Sequence, residues 1–160
     1  MLFRSVKKLE EAAVGVGFPK RAAELKPSEQ LKTRLLSEVE GRVQRSPEEA
    51  FVMANGDGLV EWVNAAFTGM CGYTLAEVKG QKLGRILQGK LTDSEAATRV
   101  REAVRNREPC TEALINYRKD GTPYWVSINI TPIQDDSGHF LCYVAREHEL
   151  PERYVQGGKD

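Results

Sequence analysis

A chain of 160 residues, 41% hydrophobic and 29% charged, is long enough for one globular domain with a sizeable core and some additional chain. Its 23 Lys and Arg balance 23 Asp and Glu, which speaks against a dedicated nucleic-acid binder, because phosphate binding runs on excess positive charge. Cys71, Cys110 and Cys142 form no C-x-x-C pair, which excludes a zinc knuckle or dithiol site and points to a reducing, cytoplasmic setting without a disulfide framework.

Residues 1 to 47 are rich in Ala, Leu, Glu, Lys and Arg and read as helices. Leu2, Val6, Leu9 and Ala13 recur at helical spacing, and Gly15, Gly17 and Pro19 end that segment. The charges inside MLFRSVKKLEEAAV are not those of a signal peptide. Ser28 after Pro27 is an N-cap, and Leu31, Leu35, Val39 and Val43 follow at i+4 steps. Such amphipathic helices need a partner for their apolar stripes: the adjacent domain, which they would cap, or a second copy, in a dimer seam. The composition changes near Ser46-Pro47, so residues 48–149 are expected to form the main domain and 150–160 a polar tail.

Within the main domain, Phe51 to Ala54 and Leu59 to Val63 read as a hairpin around Asn55-Gly56-Asp57-Gly58. Short helical pieces follow at Ala65 to Met70 and Leu75 to Val78, with a turn around Leu83 to Leu87. Thr92-Asp93-Ser94-Glu95 opens a longer helix, with Ala97, Val100 and Val104 on its apolar face, that ends near Asn106. Two long strands, Cys110 to Arg118 and Tyr124 to Ile133, are joined at Asp120-Gly121, and Phe140 to Glu147 is the last strand. Strand parity puts Trp125 and Ile128 on opposite faces. No apolar run reaches the roughly 18 residues of a membrane span.

This order of elements resembles a PAS domain over residues 50 to 149. The resemblance rests on Asn64, Phe67, Gly72-Tyr73 and Glu77-Val78-x-Gly80 in the first half. In the second half it rests on Asn116 to Trp125 (NYRKDGTPYW), Thr131-Pro132-Ile133, Asp135 and Gly138. It implies an α+β fold: a five-stranded antiparallel sheet with short helices on one face, here preceded by a helical extension. Inside it, Gly80 to Asp93, GQKLGRILQGKLTD, is similar to the flavin-binding segment of LOV domains, the blue-light-sensing branch of the family. The resemblance implies a photoreactive cysteine at position 84, but the residue there is Gly84, which has no nucleophile to form the family's cysteinyl-flavin adduct. Leu83 stands where the family has Asn.

The flavin contacts carry over one residue at a time. Arg85 and Arg101 fall at the family's phosphate-binding arginines, a task suited to the planar guanidinium fork. An alternative reading makes both arginines members of ordinary salt bridges. Gln88 matches a contact to the ribityl chain, and Asn116 the first of two asparagines on the pyrimidine edge of the ring. Val126 replaces the second asparagine, and Glu147 replaces the glutamine of the last strand. Losing two buried ring hydrogen bonds costs on the order of 2–5 kcal/mol. The sequence therefore favours a sensory module without a cofactor, with non-covalent FMN as the alternative. Its output would be protein contact, as a homodimer or with a signalling partner, through the sheet face and the N-terminal helices, with neither nucleic acid nor membrane involved.

Other chemistries find no support. Haem-binding PAS domains carry an axial His on the long helix, and no His lies between Thr92 and Glu108. His139 and His148 make no metal site, and Ser127 has no neighbouring His to activate it, so neither catalytic nor metal-ligating residues are assigned and the chain is not read as an enzyme. Cys71 is placed close enough to Gly72-Tyr73 to line a pocket, with a buried, inert thiol as the plainer expectation.

Overall fold

The computed structural model describes residues 30, 33–38 and 48–151. The expected helix over Leu2 to Ala13, the change near Ser46-Pro47 and most of the terminal tail lie outside the described residues. Of the stripe Leu31, Leu35, Val39 and Val43, only Leu35 is described; it lies in a helical stretch over 33–38.

Strands β1 (Ala50–Ala54) and β2 (Val60–Val63) form the first hairpin. Asn55 builds its turn, accepting from the N–H groups of Asp57 and Leu59 at 3.0 Å each, and Gly58 supplies a φ of 78°. The register pairs Met53 with Trp62 and Ala54 with Val60, so Glu61 is an extra residue in a β-bulge. That bulge lets Val60 and Val63, an odd three positions apart, both join the core.

Helix α1 (Ala65–Cys71) starts at Asn64, which is 5% exposed. Its Oδ1 accepts from Phe67 N at 3.1 Å and from Phe51 N at 2.9 Å, and its Nδ2 donates to Glu49 O at 2.9 Å. One side chain thus caps the helix and ties it to β1. Helix α2 (Leu75–Val78) opens on a capping box between Thr74 and Glu77. The expected turn at Leu83 is a short helix, α3 (Leu83–Leu87). Helix α4 (Ser94–Arg105) is capped by Asp93, which accepts from Glu95 N at 3.0 Å.

The remaining strands are β3 (Cys110–Tyr117), β4 (Pro123–Gln134) and β5 (Phe140–Glu149). Gly121, with a φ of 90°, closes the β3–β4 hairpin at the predicted Asp-Gly. The sheet has the order β2-β1-β5-β4-β3, with every pair antiparallel. The last strand is therefore the central one, and it joins the two halves of the chain.

The sheet has two apolar faces. The inner face meets the helices around Val52, Phe67, Leu87, Leu114 and Val126, all nearly inaccessible. The outer face packs Phe51, Met53, Ile133, Cys142 and Val144 under Leu35, with Leu36 and Trp62 at the edge. Leu35, 6% exposed, thus buries against the sheet of its own chain. Ile128 is buried on the inner face and Trp125 alternates to the other, as parity requires.

Candidate functional site

Between the inner sheet face and helices α3 and α4 lies a cavity of about 690 Å³. Its walls are apolar, from Val52, Val60, Leu114 and Ile130 on the sheet and Leu83, Leu87, Val100 and Val104 on the helices. The side chains of α4 are short on the rows nearest the core, Ala96, Ala97 and Ala103, which brings that helix close to β3. The long side chains of Arg101 and Arg105 remain exposed at the cavity's solvent side.

All five residues singled out in the sequence line this one cavity: Arg85, Gln88, Arg101, Asn116 and Glu147. They divide by burial. Arg85 and Arg101 are exposed at the mouth, Gln88 is intermediate, and Asn116 and Glu147 are each 3% exposed in the interior. The alternative of ordinary salt bridges for the arginines is not met among the described residues. Arg101 donates to Thr98 Oγ1 at 2.8 Å, and no described carboxylate pairs with either guanidinium.

Lys82 and Arg105 also line the mouth, where sequence reasoning had not placed them. Their spacing was the available signal: Arg105 follows Arg101 by four residues on one helix face, and Lys82 precedes Arg85 by three. With Asp57 as the one exposed acid in the lining, the mouth is a cationic rim suited to an anionic group.

The interior end is different. Glu147 reaches the cavity from β5, and its Oε2 is buried with no hydrogen-bond partner. Burial alone pushes this carboxyl up to about 7. Tyr124, 5% exposed beside it on β4, is pushed far above the ordinary tyrosine range by burial and by the Glu147 charge. Asn116, opposite Tyr124 in the β3–β4 register, is the polar side chain that acts on the Tyr124 hydroxyl, although no hydrogen bond there meets ordinary geometry. Val126, where a second amide was sought, is wholly buried in the core and offers no polar atom.

Gly84 lies on α3 in the cavity wall. A Cβ there would meet the Gln88 amide at 3.2 Å. None of the three cysteines is part of the cavity lining. Cys71 is fully buried in the core and is not part of the cavity lining, contrary to the pocket position considered from sequence; its Sγ lies 3.2 Å from Phe67 O, and burial raises its thiol. Cys142 is on the outer face, and Cys110 begins β3. His139 and His148 are exposed, and no group of three metal-ligating side chains occurs among the described residues. No helix among them is long and apolar enough to cross a membrane.

One end of the cavity is braced by α4 and β5. The Tyr143 hydroxyl donates to Val104 O, and Arg107 contacts that hydroxyl at 3.3 Å and stacks 3.6 Å above the Phe140 ring. Outside the cavity lining, Arg118 donates to Met70 O at 2.5 Å, pairs with Glu149 and lies 4.2 Å over the Tyr124 ring.

Comparison with known proteins agrees with this geometry. A family model described as a PAS domain matches residues 48–146. Phototropin-1A of Oryza sativa subsp. japonica is 36% identical over 101 residues, covering 63% of this chain and 11% of that protein. Blue-light-activated histidine kinase 2 of Erythrobacter litoralis (strain HTCC2594) is 37% identical over 121 residues, covering 72% of this chain and 34% of the kinase. The chain thus spans a minor part of each of these relatives. A solved light-oxygen-voltage domain studied with a flavin analogue superposes with a TM-score of 0.68 at 29% identity, over 75% of this chain and 90% of that one. Fold, site and similarity converge: the chain belongs to the PAS domain family, as a LOV-like sensory domain homologous to those of blue-light photoreceptors.

Proposed function

We propose that the domain holds FMN non-covalently in this cavity and reports the state of the site through its outer sheet face and N-terminal helical segment. The observation that supports the reading is the convergence of five sequence-separated polar residues on one open cavity, graded from a cationic mouth to a polar interior. Its size is within the roughly 300–1,000 Å³ of ordinary cofactor sites. It favours a bound ligand over an interior filled by side chains.

The residues present fit the group. Arg85 and Arg101, with Lys82 and Arg105 beside them, would hold a phosphate at the mouth, Gln88 the polyol chain, and Asn116 and Glu147 the ring edge. A bound flavin supplies visible absorption and one- or two-electron redox chemistry. Light chemistry that requires a thiol at position 84 is not available to Gly84.

Output belongs to the same sheet. Strand β5 presents Glu147 to the cavity and Cys142 and Val144 to the cluster beneath Leu35. A change at the site would bias how the helical stretch over 33–38 packs on that face, and so a dimer or partner contact. The module is a sensor and not an enzyme. Two ring-edge replacements, Val126 and Glu147, favour a second reading, a PAS interaction module that works without flavin.

An absorption spectrum of the purified protein, before and after addition of FMN, separates the two. The flavin reading expects a flavin spectrum with no light-driven adduct bleaching. A colourless protein that takes up no added FMN overturns it and leaves the second reading. Molar mass measured on the same samples tests the dimer.

A further inference from the structure

We propose that this cavity is a proton-coupled ligand site: Glu147 is carried into the complex as a neutral acid and donates to an uncharged acceptor group on the ligand's inner edge. The inference rests on the flavin reading and deepens it, by assigning the ligand class that the interior accepts and the proton that must accompany it.

Glu147 lacks a partner for its inward-facing oxygen. It lines the cavity, is 3% exposed, and its Oε2 is buried without a hydrogen-bond partner. No ion pair among the described residues includes it. Each neighbouring element offers no compensating charge. From β4 comes the Tyr124 hydroxyl, and from α1 the Cys71 thiol, both held neutral by burial. Its register partners are apolar, Ala50 on β1 and Ile128 on β4. Asn116 on β3 is a neutral amide. Arg118 is committed to Glu149. The cations of α3 and α4, Arg85 and Arg101, are exposed at the solvent side.

An ionised carboxylate is acceptor-only, whereas the neutral acid carries one O–H donor. A ligand that fills the cavity removes the remaining water from this group. Burial of the bare anion against a ligand carbonyl or imine nitrogen would then set acceptor against acceptor, and proton uptake replaces that contact with a hydrogen bond. The proton comes from solvent, and no other bond is made or broken. A ligand presenting only N–H donors at that edge would instead keep Glu147 ionised. The site therefore selects ligands with an acceptor at the inner edge and an anion at the outer end.

Calorimetric titration of the protein with FMN in two buffers of different ionisation enthalpy, from pH 6 to 8.5, counts the protons taken up. Riboflavin is the parallel probe, because it lacks the phosphate whose own second ionisation lies near pH 6. The expected result is uptake approaching one proton per ligand at pH 8 and near none at pH 6, with affinity falling about tenfold per pH unit above 7. Glu147→Gln, which donates at every pH, should show no uptake with riboflavin and a flat affinity profile. Binding without proton uptake in the unmodified protein overturns the inference and leaves the flavin reading intact, as does uptake unchanged in Glu147→Gln. Absence of binding by either probe at every pH overturns both.

Discussion

The isolation of Glu147 has a consequence that needs no ligand. Its carboxyl is raised from 4.5 to about 7 in the folded protein, with burial as the cause. A group whose folded value is raised contributes its full relative stability below the unfolded value, and loses it as pH rises through the folded one. At pH 4 the side chain is largely neutral in both states. Between about pH 4.5 and 7 the unfolded chain ionises while the folded one does not, and stability falls throughout that window. A midpoint displaced from 4.5 to about 7 corresponds to about 3 kcal/mol, lost by pH 7.5 and constant above it. Glu147→Gln keeps the shape of the neutral acid and cannot ionise. Urea unfolding of both proteins at half-unit steps from pH 4.5 to 8.5 isolates the effect, because the lowered carboxyls of Asp120, Asp135 and Glu77 act equally in each and cancel. The variant should gain on the unmodified protein by about 3 kcal/mol between pH 4.5 and 7.5. Two parallel stability curves would refute the reasoning, since they would mean that water or a cation compensates the buried carboxylate.

Asn64→Ala leaves the N–H groups of Phe51 and Phe67 without their acceptor, and should cost about 2–3 kcal/mol in urea unfolding, whereas Asn64→Asp, which keeps the acceptor, should cost less. Gly89→Ala would place a Cβ 2.5 Å from Tyr117 Cε2, whose hydroxyl accepts from Leu91 N; a loss of about 1–3 kcal/mol is expected, and relief of it in Gly89→Ala/Tyr117→Leu would identify the clash as the cause. Gly84→Cys should fold with less than about 1 kcal/mol of change, because the nearest atoms are the mobile end of Gln88 and the position is helical. If FMN binds that variant, the appearance of light-driven bleaching reports a ring seated within reach of α3, and its absence a displaced ring.

The elements were legible because each carries a local cause. Asp120-Gly121 requires one turn, Asp93-Ser94 one helix start, and the alternation in β4 one buried face. The bulge at Glu61 was not legible, since Val60 and Val63 look like an ordinary odd spacing until the pairing with β1 is known. The site divides in the same way. Arg85, Gln88 and Arg101 could be named from a motif, and the structure brings them to one cavity with Asn116 and Glu147. What could not be read was how their surroundings differ. Arg85 is exposed, with no carboxylate partner among the described residues, because it sits on the solvent side of α3, while Glu147 is sealed by residues of β1, β4 and α1 that lie up to 97 positions away. Burial is a property of that assembly, and no window of sequence around Glu147 contains it.

On the proposed function, the position of β5 is what would let such a residue bear on signalling. As the central strand it hydrogen-bonds to β1 on one side and β4 on the other, so it cannot shift alone. Glu147 pairs in register with Ala50, and three residues earlier Val144 pairs with Met53 and packs with Leu35 on the outer face. A charge that appears or disappears at Glu147 would act on the inner surface of the same ladder whose outer surface packs against Leu35. The coupling needs no long path, only two packings of one strand that differ in free energy by less than the few kcal/mol at stake in the ionisation of Glu147. The departures from the LOV pattern thus have a common direction. Gly84 puts no thiol in the cavity wall, and Glu147 puts an ionisable group at the cavity's interior end, on the strand whose other face packs against Leu35; on the proposed function, the quantity such a site would transmit is the presence of a proton.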